Sequence, residues 1–83
     1  MTRLWENQPI TVEVDETGSP IRFKWNGTVY AITQVVDQWR ADTDWWRGRI
    51  WREHFKVASK SGLLAVIYHD LLNDTWYLQQ IYD

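Results

Sequence analysis

The chain has 83 residues, seven tryptophans, four tyrosines, two phenylalanines, no cysteine and a formal net charge of −2. One domain of this size buries only about 60–65% of its unfolded surface, so the aromatic residues must supply the core that disulfides or metals supply in other small domains. The missing cysteines exclude a disulfide framework and thiolate metal sites, and they fit a reducing cytoplasm. Near-neutral charge argues against tight nucleic-acid binding by bulk charge alone.

The first fifteen residues, MTRLWENQPITVEVD, contain no apolar run of signal-peptide length, and nothing approaches the ~20 apolar residues of a membrane span. A soluble, cytoplasmic single domain over 1–83 is expected. Ile10 to Asp15 alternates apolar and polar residues, which predicts a strand with one wet face, and ETGSP follows as a turn. Ile21, Phe23 and Trp25 alternate with Arg22, Lys24 and Asn26, and Asn26-Gly27 is the signature of a two-residue hairpin turn. That turn sets Trp25 opposite Thr28, Phe23 opposite Tyr30 and Ile21 opposite Ile32.

The next strand is expected to end near Asp37, with Gln38 to Asp44 as a loop or one helical turn. Strands are then expected at 46–58, 63–69 and 75–82, separated by turns at SKSG and LNDT. A four-residue loop at SKSG would pair Val57 with Leu64, Phe55 with Val66 and Glu53 with Tyr68. The expected core is Phe23, Tyr30, Ile32, Phe55, Val57, Leu64, Val66, Trp76 and Leu78. About six short antiparallel strands define an all-β fold, a strongly bent sheet or a small partly open barrel.

Between Trp45 and Glu53 the sequence WWRGRIWRE holds three tryptophans and three arginines against one acidic residue. Successive strand residues face opposite ways, so Trp45 and Trp46 cannot both enter one core without a bulge, for which Gly48 is placed. If Phe55 and Val57 face inward, strand parity carries Trp51 inward together with Arg47 and Arg49, an untenable burial for bare guanidinium groups. Parity must therefore break between Arg49 and Trp51, or the strand must leave the sheet before Gly48. Trp51 is expected to be mostly buried, and at least one of Trp45 and Trp46 to keep an accessible ring. Trp39, Arg40, Trp45, Trp46, Arg47 and Arg49 form the candidate partner patch, since Trp and Arg are enriched both in interface hot spots and on single-strand stacking platforms.

Other chemistry is sparse. In the register above, His54 and His69 are diagonal neighbours, but Arg52 opposite His69 would repel a cation and no third ligand offers itself, so no metal is expected. Ser19, Ser59 and Ser61 fall in turns away from any histidine base, Asp42 and Asp44 read as solvated turn residues or members of local ion pairs, and no glycine-rich phosphate loop occurs. No enzyme activity and no cofactor are expected.

The succession PIRFKWNGTVYAITQVVDQWR, WWRG, HFKV, LLAVIYHD and DTWYLQQIYD resembles a small bacterial domain of unknown function. A similar piece forms the carboxy-terminal tail of the catalytically inactive Y-family DNA polymerase homologues of bacterial mutagenesis cassettes. Its pattern matches Trp45, Trp46 and Arg47, then Phe55 and Val57, then Tyr68 and Asp70, then Trp76, Tyr77 and Leu78, within a resemblance that runs from about Pro20 to Asp83. The polymerase palm, fingers and little-finger regions have no counterpart here. The resemblance implies an accessory or protein-interaction module, with DNA damage tolerance or translesion synthesis as the setting. A small single-stranded nucleic-acid-binding domain is the alternative. Neither reading involves a membrane.

Overall fold

A computed structural model describes residues 2–45 and 48–82, with side chains for 9–42 and 50–82. Six strands follow in chain order: β1 (Thr2–Val14), β2 (Pro20–Trp25), β3 (Thr28–Trp45), β4 (Gly48–Ser59), β5 (Leu64–Asp70) and β6 (Thr75–Tyr82). Each is antiparallel to its neighbours, and the order β1-β2-β3-β4-β5-β6 closes into a barrel. The fold is all-β, as the alternation predicts, and the barrel is closed rather than partly open. Among the described residues no helix is long and apolar enough to cross a membrane.

Closure depends on two long strands that change partners. β1 pairs with β6 over Thr2 to Ile10 and with β2 from Thr11 onward. β3 pairs with β2 up to Ala31 and with β4 from Ile32 onward. Register shifts between Ile32 and Gln34, and again between Val35 and Asp37, supply the extra residues that bend β3 around the corner. The β2–β3 hairpin turns on Asn26 (φ 52°) and Gly27 (φ 77°), the two positive angles its loop requires. Trp25 faces Thr28 and Phe23 faces Tyr30 as expected. The ladder ends at Arg22 opposite Ala31, however, so Ile21 does not reach Ile32 and is exposed.

The β4–β5 register departs from expectation by one residue. Val57 faces Ala65, Phe55 faces Ile67 and Glu53 faces His69, because the connection after Ala58 spans residues 59–63 instead of four. Ser59 organises that loop. Its amide donates to the Leu63 carbonyl (2.8 Å), its hydroxyl accepts from the Leu63 amide (3.1 Å), and Gly62 turns at φ 88° with its amide on the Ser59 carbonyl (3.0 Å). A one-residue slip exchanges the two faces of a strand. Ala65 and Ile67 therefore join Phe23, Phe55, Val57, Leu78 and Ile81 in the core, while Leu64 and Val66, expected beside them, stand on the other face, where Val66 is buried as expected and Leu64 only partly so. Tyr30, Ile32 and Trp76 are partly buried against the core, as are Ile10, Val12, Trp25 and Val35.

Two further boundaries are corrected. β1 begins at Thr2, not Ile10, and carries Pro9 within the strand opposite Tyr77. Residues 38–44 are strand, not loop, paired one-to-one with β4.

A two-stranded arm and an aromatic ladder

β5 accompanies β4 only as far as Arg52 opposite Asp70, with one further hydrogen bond from the Leu71 amide to the Trp51 carbonyl (2.9 Å). The β3–β4 pairing continues well past this point, to Trp45 opposite Gly48. On its other side β3 has no β2 partner beyond Ala31 among the described residues. β3 and β4 thus leave the barrel as a two-stranded arm, and its outer strand edge is open. β4 is paired with β3 from Gly48 onward with no register shift between Arg49 and Trp51, so strand parity does not break there; β5 accompanies it only from Arg52, and the two residues before Gly48 lie outside the described ones. Trp51 lies opposite Asp42 on the arm and is partly buried.

The arm separates the residues grouped by sequence. Trp39 lies opposite His54, and Arg40 lies opposite Glu53, so two patch members point to opposite faces of the ribbon. Arg40 Nη2 pairs with Glu53 Oε2 at 3.2 Å, and Gln38 Nε2 donates to Glu53 Oε1. These side chains border an open cleft of about 430 Å³ with Trp39. The side chains of Trp45, Trp46, Arg47 and Arg49, including the expected accessible ring, lie outside the described residues.

On the outer face, Trp39 begins a ladder that crosses four strands. Its ring stacks on His54 (centroids 5.2 Å, interplanar 6°), His54 meets Tyr68 (5.2 Å, 35°), and Tyr68 stacks on Tyr77 (5.1 Å, 26°). Trp39 is 41% exposed and Tyr68 only 2%. Long cationic side chains provide the cover: the Arg52 guanidinium lies 4.8 Å from the Tyr68 centroid, and Lys56 Nζ lies 4.9 Å from that of Tyr82. The ladder was not legible because it depends on the β4–β5 register; with the five-residue loop known, Trp39, His54, Tyr68 and Tyr77 fall into one row.

The same register puts the two histidines on opposite faces, against the expectation that they are diagonal neighbours. His54 sits in the outer ladder, while His69 is stacked on Trp76 on the barrel side (4.5 Å, 3°) with Nε2 2.7 Å from Asp74 Oδ1. Arg52 lies opposite Asp70, not His69. No group of three His, Asp or Glu side chains is placed to hold a metal among the described residues.

Burial, and secondarily the Arg52 charge, hold the His54 pKa below its usual value. Its Nδ1 has no hydrogen-bond partner among the described residues. A histidine with a depressed folded pKa stabilises the fold fully above its unfolded pKa, and that contribution is lost as pH falls from about 6.5 through the folded value. Urea midpoints should therefore drop between pH 7.5 and 5.5, and His54→Gln should show a smaller drop. An equal drop in the two proteins would place the titration elsewhere.

Barrel, bent strands and projecting arm define a small all-β barrel domain with a two-stranded extension. The chain belongs to the family described as Domain of unknown function (DUF6504), whose model matches residues 4–83. No curated protein and no solved structure matches the chain.

Proposed function

We propose that the chain is a non-catalytic accessory module that docks a protein partner, in the setting of DNA damage tolerance or translesion synthesis in the bacterial cytoplasm. The observation that supports docking is the arm. Its outer part, from Asp42 on β3 and up to Trp51 on β4, lies beyond the last β4–β5 pair, and the sequence from Trp45 to Arg52 is the chain's densest Trp-Arg run. Trp and Arg presented outside a core are the residues that most often dominate binding energy. The repair setting rests on the motif resemblance and on nothing else.

The exposed Trp39 ring favours the second reading, a single-stranded nucleic-acid binder, because bases stack on such rings. Its neighbours weigh against it. Asp37 and Asp42 are exposed on the same strand, and Arg40 is turned to the opposite face and paired with Glu53. The test is a double substitution, Trp46→Ala with Arg47→Ala, compared with wild type by thermal melt and by quantitative recovery of partners from the host. Stability should stay within about 0.5 kcal/mol, while a partner that uses both residues should bind roughly thirtyfold more weakly or worse. Unfolding, or unchanged recovery of every partner, would remove the docking reading. Steeply salt-dependent binding of a labelled single-stranded oligonucleotide, lost in the same variant, would replace it with the second.

A further inference from the structure

The open edge of β3 is a regular strand. From Asp37 to Trp45 it pairs one-to-one with β4 over nine residues without a bulge, and it contains no proline and no glycine. At about 3.4 Å per residue this edge is roughly 30 Å long. Natural edge strands of this length are normally shortened, bulged, covered or guarded by charge. The bulges of β3 stop at Asp37, and beyond them the edge carries the charged residues Asp37, Arg40, Asp42 and Asp44.

That charge pattern is self-complementary. In an antiparallel pair, directly opposed residues share a face, so a twofold axis relating two copies of one strand must pass through a residue. Ala41 is the midpoint of Asp37 to Trp45. An axis there uses the whole edge and sets Arg40 against the second copy's Asp42, and Asp42 against the second copy's Arg40. It sets Gln38 against Asp44, Trp39 against Thr43, and the small Ala41 against itself. An axis at Arg40 opposes two arginines, and an axis at Asp42 opposes two aspartates; both shorten the ladder. Like charges directly opposed across a sheet are destabilising, so one register is selected.

We propose that two copies of the chain associate through the Asp37–Trp45 edge of β3, antiparallel about a twofold axis at Ala41, to form one continuous sheet across both barrels. The pairing is isologous, as closed dimer interfaces are, and its backbone hydrogen bonds are those of strand addition. It also lays a strand beside the exposed face of Trp39, the open end of the aromatic ladder. The dimer edge shares the β3 half of the arm with the proposed docking surface, but the association itself rests on the β3 edge alone.

Sedimentation equilibrium from micromolar to sub-millimolar concentration should show the mass rising from 10.0 kDa towards twice that value. Ala41→Cys introduces a sole cysteine, and mild oxidation should yield a covalent dimer faster than Val29→Cys, which places the thiol at an exposed site near the other end of the same strand. Asp42→Arg opposes Arg to Arg40 twice while leaving the Arg40–Glu53 pair in place, and should weaken the dimer about tenfold or more, with near-ultraviolet circular dichroism confirming that the variant is folded. A monomer across the whole concentration range would overturn the proposal. So would cross-linking no faster at 41 than at 29, or an Asp42→Arg variant that associates as tightly as wild type.

Discussion

Phe55→Ala should lower the unfolding free energy by about 3–5 kcal/mol, the usual cost of emptying a core aromatic site. Phe55 is 2% exposed, lies opposite Ile67, and meets the Trp76 ring at 5.5 Å. It belongs to the strand that continues into the arm, so its loss opens a cavity where the barrel and the arm join. A domain of this size loses about 4–8 °C of melting temperature per kcal/mol, which makes the expected fall at least ~12 °C. Phe55→Leu, which keeps most of the volume, should cost a fraction of this. A Phe55→Ala protein that melts with wild type would show that the barrel interior is organised around other residues.

Tyr68→Ala should cost nearly as much, about 3 kcal/mol, although Tyr68 is outside the barrel. It is 2% exposed, lies between His54 and Tyr77, and is covered by Arg52. Burial pushes its phenol above the usual tyrosine range, so the ring stays neutral under ordinary conditions. Removing it takes away two ring pairs, each worth about 0.5–1.5 kcal/mol beyond area, and exposes the flank of His54. Trp39→Ala removes only the open end of the row and should cost about 1 kcal/mol. Urea titrations of the two variants side by side measure the difference. Equal destabilisation would mean that the ladder is a surface ornament, not a second core on the outer face.

That second core explains which parts of the fold could be read in advance. The Asn26-Gly27 hairpin was legible because its turn chemistry fixes its register and one face of β2 is polar. LLAVIYH carries no such parity. Both faces of β5 are covered, one by the barrel interior and the other by the ladder, so hydrophobicity could not decide whether Val66 and Tyr68 or Ala65 and Ile67 turn inward. A single residue in the Ser59–Leu63 loop made the choice. QWRADTD failed for the opposite reason: Trp39 is its single apolar residue besides Ala41, so the segment has no alternation to reveal a strand. The candidate patch set Arg40 beside Trp39, but adjacent strand residues face apart, and the two lie on opposite faces of the arm. Thr2 to Pro9 were missed because the strand signal strengthens only at Ile10.

The barrel closes where β1 meets β6, a ladder joining Thr2 with Tyr82 and Ile10 with Trp76. Every other strand pair is a hairpin between neighbours in sequence, but this one spans almost the whole chain. Its loop-closure entropy must be met before its contacts can repay it, which places folding on the slower, milliseconds-to-seconds scale of non-local β topologies. During synthesis the problem is sharper. Until residues 75–82 have emerged, the growing chain holds an unclosed sheet whose first and fifth strands both await the sixth. Closure of the ring is the last event available to it, and every intermediate before that presents adhesive borders to its surroundings.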